Sequence, residues 1–128
     1  PEMYIRSLLH RNGLRFRANY SVVAGKPDLF FSKKKIAVFV HGCYWHRHQG
    51  CQYAYSPKSN VDFWVKKLEG NRIHDEIVYK KLKEMGIRIL IIWECTIKRM
   101  QKDPNVETDI LKAIDSFMNE TDICFLEL

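Results

Sequence analysis

The chain has 128 residues, 46% of them hydrophobic, and its 21 Lys+Arg exceed its 15 Asp+Glu for a formal net charge of +6. That length suits one domain with a buried core; no apolar run approaches the ~18 residues of a membrane helix, and no charged-then-apolar leader opens the chain. A pI near 9.2 favours polyanionic partners, nucleic acid first among them, although a basic domain with no nucleic-acid role fits the charge equally well.

PEMYIRSLLHRNG opens as a helix: Pro1 suits a first-turn position, Tyr4, Ile5, Leu8 and Leu9 recur at helical spacing, and Gly13 ends it. LRFRANYSVV alternates as a strand, AGK turns, and PDLFFSKKKIAVFVHG reads as a hairpin with a basic tip over Ser32–Lys35. A fold-back near Lys34–Lys35 makes facing residues sum to roughly 69, which sets Asp28 against Val40 and His41. SPKSN then turns and offers Asn60 as N-cap for a long helix that Gly86 closes, with Gly70 as a point for a kink. Val61, Trp64, Val65, Leu68, Ile77, Val78 and Leu82 form its apolar stripe, while Lys67, Asn71 and Asp75, four apart, line a polar face. IRILIIW reads as a strand covered on both sides and ends at Glu94-Cys95. A helix over Asn105–Glu120 and a short ICFLEL strand, with Cys124 in the core, complete a mixed α/β layer fold.

The chemistry concentrates in HGCYWHRHQGC, residues 41 to 51, which holds His41, His46 and His48 of the 5 histidines and Cys43 and Cys51 of the 4 cysteines. Cysteines interleaved with histidines read as metal ligands in a reducing compartment, by default the cytoplasm, better than as a disulfide framework. Structural zinc takes four tetrahedral Cys/His ligands. Cys43, His46, His48 and Cys51 suffice by themselves, or three of them join Cys95. Asp28, after Pro27 and beside an exposed strand-end carbonyl, suits Mg²⁺, which takes a few hard oxygens plus water. Taken singly it reads more readily as an ordinary turn residue. A histidine in the same mouth can activate water or meet a phosphate, with Asp75 to orient it. Tyr44-Trp45 either pack over the metal or stack on bases.

Taken in order, KPDLFF, AVFVHGCYWHRHQGC, FWVKKLEGNRIHD and IRILIIWEC resemble the very-short-patch repair (Vsr) endonucleases, bacterial enzymes that nick DNA at mismatches. The likeness runs from Glu2 to Cys95 and is only general beyond Lys98. It implies a restriction-endonuclease-like mixed sheet flanked by helices, a single endonuclease domain over residues 1–128, structural Zn²⁺ and catalytic Mg²⁺. The implied reaction is hydrolysis of the phosphodiester 5′ to the thymine of a T:G mismatch left by deamination of 5-methylcytosine. Asp28 would hold Mg²⁺ with the main-chain oxygen of Val40. His46 would be the general base, its ring held by Asp75, with His41 near the scissile phosphate and Glu2 as a further acidic position. Zinc would fall to Cys43, His48, Cys51 and Cys95, leaving His46 for chemistry. Tyr44 and Trp45 match an aromatic wedge beside the mismatch, and Lys67 and Asn71 match positions facing the mismatched bases. A bacterial cytoplasmic monomer on double-stranded DNA is implied, with mismatch-repair proteins as further partners.

Some positions depart from the family pattern. Val40 stands where threonine is common, Gly50 adds a residue before Cys51, and Phe39-Val40-His41 replaces the acidic-x-lysine of general restriction enzymes. The family's N-terminal basic arm is expected to be absent from a chain that opens at Pro1. Two other functions fit the same residues, a site-specific endonuclease for matched DNA and a zinc-stabilised DNA-binding module without catalysis. A basic metal-binding protein unrelated to DNA is the plainest alternative.

Overall fold

A strand buried on both sides sends successive side chains into different layers. The computed structural model, which describes residues 1–128, is built on such strands. β1 (Arg17–Ala18), β2 (Leu29–Phe31), β3 (Ile36–His41), β4 (Arg88–Trp93) and β5 (Phe125–Glu127) form one sheet in that order. The first three run antiparallel to one another, whereas β3, β4 and β5 are parallel. Parallel neighbours need long crossovers. α2 (Val61–Glu84) lies in the first, and α3 (Glu94–Lys102) and α4 (Pro104–Asn119) make the second, while α1 (Glu2–Arg11) precedes the sheet.

Odd and even strand positions feed two cores. Leu29, Phe31, Ile36, Val38, Leu90 and Ile92 pack with Ile5 and Leu9 of α1, Met100 of α3 and Phe117 of α4. Phe30, Ala37, Phe39, Ile89 and Ile91 face the other way, onto Val78 and Leu82 of α2. Each fully buried aliphatic or Phe side chain contributes about 1.5–3 kcal/mol, so these rows hold the strands in register. The parity also places chemistry: His41 continues the row of Ala37 and Phe39, and Asp28 the row of Phe30, so both fall on the layer of α2.

Several expectations change. Leu29 pairs with Val38 and Phe31 with Ile36, so the fold-back centres one residue earlier than Lys34–Lys35. Phe31 and Ile36 are buried partners, and the four polar residues between them form the turn, closed by Lys35 at φ 54. The slip moves the facing position by two, which preserves the face; the Asp28 carboxylate now meets Val40 through its amide rather than lying opposite His41. The LRFRANYSVV strand shrinks to Arg17–Ala18, and a helix unread in the sequence, α3, follows β4 without a loop. Cys124 is exposed rather than core, because β5 begins after it and is the outer strand of the sheet. Asn60 precedes α2 as expected but has left-handed backbone and makes no side-chain cap bond, and α2 is one helix through Gly70. Of its expected stripe Leu68, Val78 and Leu82 are buried, whereas Val61, Val65 and Ile77 are exposed; Val78 and Leu82, in the C-terminal half of α2, are the ones that join the sheet core. Gly25, at φ +78, lets the β1–β2 turn dock on that half: a Cβ there would stand 2.3 Å from Cγ1 of Val78.

Candidate active site and metal cluster

Ligands of parallel sheets gather beyond the carboxyl ends of the strands, and two clusters of ligating side chains lie there. β3 and β4 are in register with His41 beside Trp93. Cys43 and Cys95 each lie two residues further on, so the strand ends bring them together; the Cys95 amide, in the first turn of α3, donates to Cys43 Sγ at 3.4 Å. A first-turn amide has no partner within its own helix. The loop after Cys43 folds back, its His48 amide bonding the Cys43 carbonyl at 2.9 Å. Gly50, left-handed at φ 71, turns the chain into Cys51. Ligand atoms of Cys43, His48, Cys51 and Cys95 consequently lie within 4.8 Å of one another.

His48 Nδ1 is 3.5 Å from Cys95 Sγ. The S–N edge of a tetrahedral zinc site is about 3.5–3.6 Å, given Zn–S near 2.3 Å and Zn–N near 2.0–2.1 Å. Burial pushes the Cys43 thiol up to about 12, with its neighbouring cysteines adding to the rise. Thiols that keep their protons gain little by meeting, while a divalent cation would ionise them and turn the cluster into a bonded unit. Burial also lowers His48, keeping its imidazole neutral as a ligand must be. The donor set fits a tetrahedral cation of the zinc type.

The second cluster uses the residues the first leaves over. His46 Nδ1 lies 2.7 Å from Oδ2 of Asp75, and the His46 ring stacks on His41 with centroids 3.8 Å apart. His41 Nε2 stands 2.7 Å from the Tyr79 hydroxyl but 4.0 Å from Asp75, so the carboxylate serves His46 alone. Burial, and then the His46 ring, push His41 down to about 4, so it is neutral near pH 7. Asp28, Val40, His41, His46 and Asp75 line one cavity of about 230 Å³, and Lys26 and His74 belong to the same wall. His46 and Asp75 also border a wider cleft of about 910 Å³ between α2 and β5.

At the β2 side of the cavity the Val40 amide donates to Asp28 Oδ2 at 2.6 Å. Amide and carbonyl of one strand residue point to the same side, so Val40 offers its carbonyl oxygen beside that carboxylate, where β2 has not yet begun. Burial, and the Glu2 carboxyl reaching in from α1, raise Asp28 to about 6 against the opposing pull of the Val40 amide. Two carboxyls and a carbonyl oxygen form a hard-oxygen seat whose mutual repulsion a divalent cation would relieve. Glu2 is also ion-paired to Arg6 one turn along α1.

The aromatic pair of the loop has grown. Trp45 is 50% exposed and meets Trp64 of α2, while Tyr44 meets Tyr55 and carries Arg47 over its ring. Asn71 Nδ2 donates to the Trp45 carbonyl at 3.2 Å, so it braces the loop; Lys67 is exposed one turn away on the same face. Sequence reasoning missed Tyr79, Trp64 and Trp93, which packs flat on His48 at 4.1 Å. Tyr79 was legible: it extends the four-residue spacing of Lys67, Asn71 and Asp75 by one turn.

A held imidazole, an oxygen seat for a hard cation and a basic chain around them suit a hydrolase of phosphodiesters in nucleic acid. A family model described as DNA mismatch endonuclease Vsr matches residues 1–52. The type II nicking enzyme V.XorIIP of Xanthomonas oryzae pv. oryzae is 41% identical over 97 residues, 76% of this chain and 71% of the relative. V.NmeAIP of Neisseria meningitidis is 40% identical over 98 residues, covering 77% and 69%. The DNA mismatch endonuclease Vsr of Escherichia coli is 35% identical over 101 residues, 79% of this chain and 64% of that enzyme. The chain belongs to the Vsr family and is a DNA endonuclease. No helix in it is long and apolar enough to cross a membrane.

Proposed function

We propose that the protein nicks double-stranded DNA 5′ to the thymine of a T:G mismatch, with Mg²⁺ at Asp28 and a structural Zn²⁺ at Cys43, His48, Cys51 and Cys95. The observation that carries the reading is the sharing of one small cavity by Asp28, Val40, His41, His46 and Asp75. Mg²⁺ there supplies charge neutralisation for a pentavalent phosphate and for the leaving 3′-oxygen. The Asp28 carboxylate and the Val40 carbonyl would hold it, with Glu2 behind them. Asp75 fixes the proton of His46 on Nδ1, so Nε2 keeps a lone pair to take a proton from attacking water. His41 presents a neutral ring to the phosphate. The rings around Trp45 and Trp64 suit stacking beside a mispaired base step, and Lys67 and Asn71 lie on the helix face that runs from those rings to Asp75. The core that carries this site is read as restriction-endonuclease-like, and the protein as a bacterial cytoplasmic monomer serving mismatch repair.

A second reading keeps the chemistry and changes the target. V.XorIIP and V.NmeAIP carry the name type II nicking enzyme, which suits a nickase that recognises one matched sequence. Strand-resolved nicking of end-labelled duplexes, T:G against C:G at one position and in varied flanking sequence, separates the two. Cleavage confined to the mismatched duplexes, 5′ to thymine, is expected; equal cutting of matched duplexes would replace mismatch by sequence as the signal.

The Mg²⁺ seat has its own test. Asp28 at about 6 in the folded chain lies above its unfolded value, so in metal-free protein its contribution to stability is full below about pH 4 and is lost as pH rises through about 6. Mg²⁺ binds the ionised form and restores what was lost. The gain in stability on adding Mg²⁺, read by thermal melts, should therefore be small near pH 5 and level off above about pH 7, reaching about 2.7 kcal/mol when Mg²⁺ is a hundredfold above its Kd. Asp28→Asn should abolish the gain. A gain that persists in that variant, or that does not vary with pH, places the ion elsewhere.

A further inference from the structure

Tyr79 stands one helical turn beyond Asp75, and the contact of its hydroxyl with Nε2 of His41, at 2.7 Å, is its one hydrogen bond. A phenol with a single partner donates to it where that partner has a lone pair. Asp75 does not compete: its Oδ2 is 4.0 Å from the same nitrogen and is engaged by His46 at 2.7 Å. The other nitrogen of His41, Nδ1, makes no hydrogen bond to protein and is not sealed from solvent. The ring plane is fixed by the stack on His46 at 3.8 Å and by Trp93 at 5.3 Å. Tyr79 is itself held edge-on by Phe39 and Phe125, at 6.1 and 5.3 Å.

We infer that Tyr79 is a positioning residue for cleavage: its hydroxyl donates to Nε2 of His41, fixes that imidazole as the tautomer protonated on Nδ1, and so turns an N–H toward the cavity to bind a phosphate oxygen. The opposite tautomer would present a lone pair to the phosphate, which repels it. The inference rests on reading the cavity as the nuclease site, and it assigns Tyr79 a role exerted only through His41. The distinction matters for the division of labour between the histidines. Asp75 sets the tautomer that makes His46 an acceptor, and Tyr79 sets the one that makes His41 a donor, from adjacent turns of one helix.

The test is the tautomer of His41, read by long-range ¹H–¹⁵N NMR correlation on the full chain, with the resonances assigned by their loss in His41→Gln. Wild type is expected to carry the proton on Nδ1, and Tyr79→Phe to move it wholly or partly to Nε2. The Phe variant should bind a T:G duplex with unchanged affinity, melt as wild type does and nick at saturating DNA roughly 10- to 100-fold more slowly, the range for losing an orienting hydrogen bond. A merely structural Tyr79 would lower the melting temperature and leave the tautomer alone. A wild-type proton on Nε2, an unchanged tautomer in Tyr79→Phe, or an unchanged rate overturns the inference; should the variant not fold, the wild-type tautomer decides. The NMR arm needs no substrate, so its failure sinks the role of Tyr79 and leaves the mismatch reading standing. Wild type that nicks no duplex sinks that reading instead.

Discussion

Cys95→Ser is expected to strip the metal from the purified protein and to cost it most of its stability, while Cys124→Ser does neither. Cys95 joins two strand ends, its sulfur facing His48 and its amide facing Cys43; serine keeps the amide and loses the soft ligand. A structural zinc site is worth roughly 10–16 kcal/mol of apparent binding energy. Forfeiting even about 3 kcal/mol of it would lower the melting temperature by roughly 10 °C in a chain of this size. Cys124 is exposed beside the outermost strand and touches none of the ligands. Elemental analysis with thermal melts by circular dichroism reads both quantities at once. Metal retained in Cys95→Ser but lost in Cys124→Ser would move the site to the other end of the sheet.

The second large effect is expected at His46. Replacement by alanine should slow single-turnover nicking of a T:G duplex by about 10²- to 10⁴-fold, the usual contribution of a positioned general base, with DNA affinity retained. The side chain is partly open to solvent and its one hydrogen bond is to Asp75, so its removal leaves the cores untouched. Asp75→Asn should lie between the variant and wild type, since an amide holds the ring but favours the wrong tautomer. Nicking at the wild-type rate in His46→Ala would show that water loses its proton elsewhere, and the imidazole would become a phosphate ligand.

Much of this architecture was legible because the relevant signals are local. The α1 periodicity, the paired apolar runs around a basic turn, the long helix and the all-apolar β4 each report their own burial. What escaped depends on neighbours. α3 follows Trp93 with no glycine or proline to mark a break, and its buried set of Thr96, Ile97 and Met100 is short enough to pass for loop. Cys124 sits among apolar residues in sequence, yet in space it precedes the outermost strand and stays exposed. The hairpin register missed by two residues because basic residues at a turn give no cue to its centre; the burial of Phe31 and Ile36 supplies it. For the site, spacing could nominate every ligand in the loop from His41 to Cys51 without dividing them. The division comes from the parallel register, which delivers Cys95 to Cys43 and leaves His46 across from Asp75.

Trp93 bridges that division. Its indole lies flat against His48 at 4.1 Å and meets His41 at a tilt, 5.3 Å away. The indole is a rigid body touching both clusters, and its N–H is itself tied to Glu127 of β5. The two clusters are therefore mechanically coupled through one ring. Loosening of the cysteine loop would reach the histidines as a tilt of one ring, well before any strand came apart.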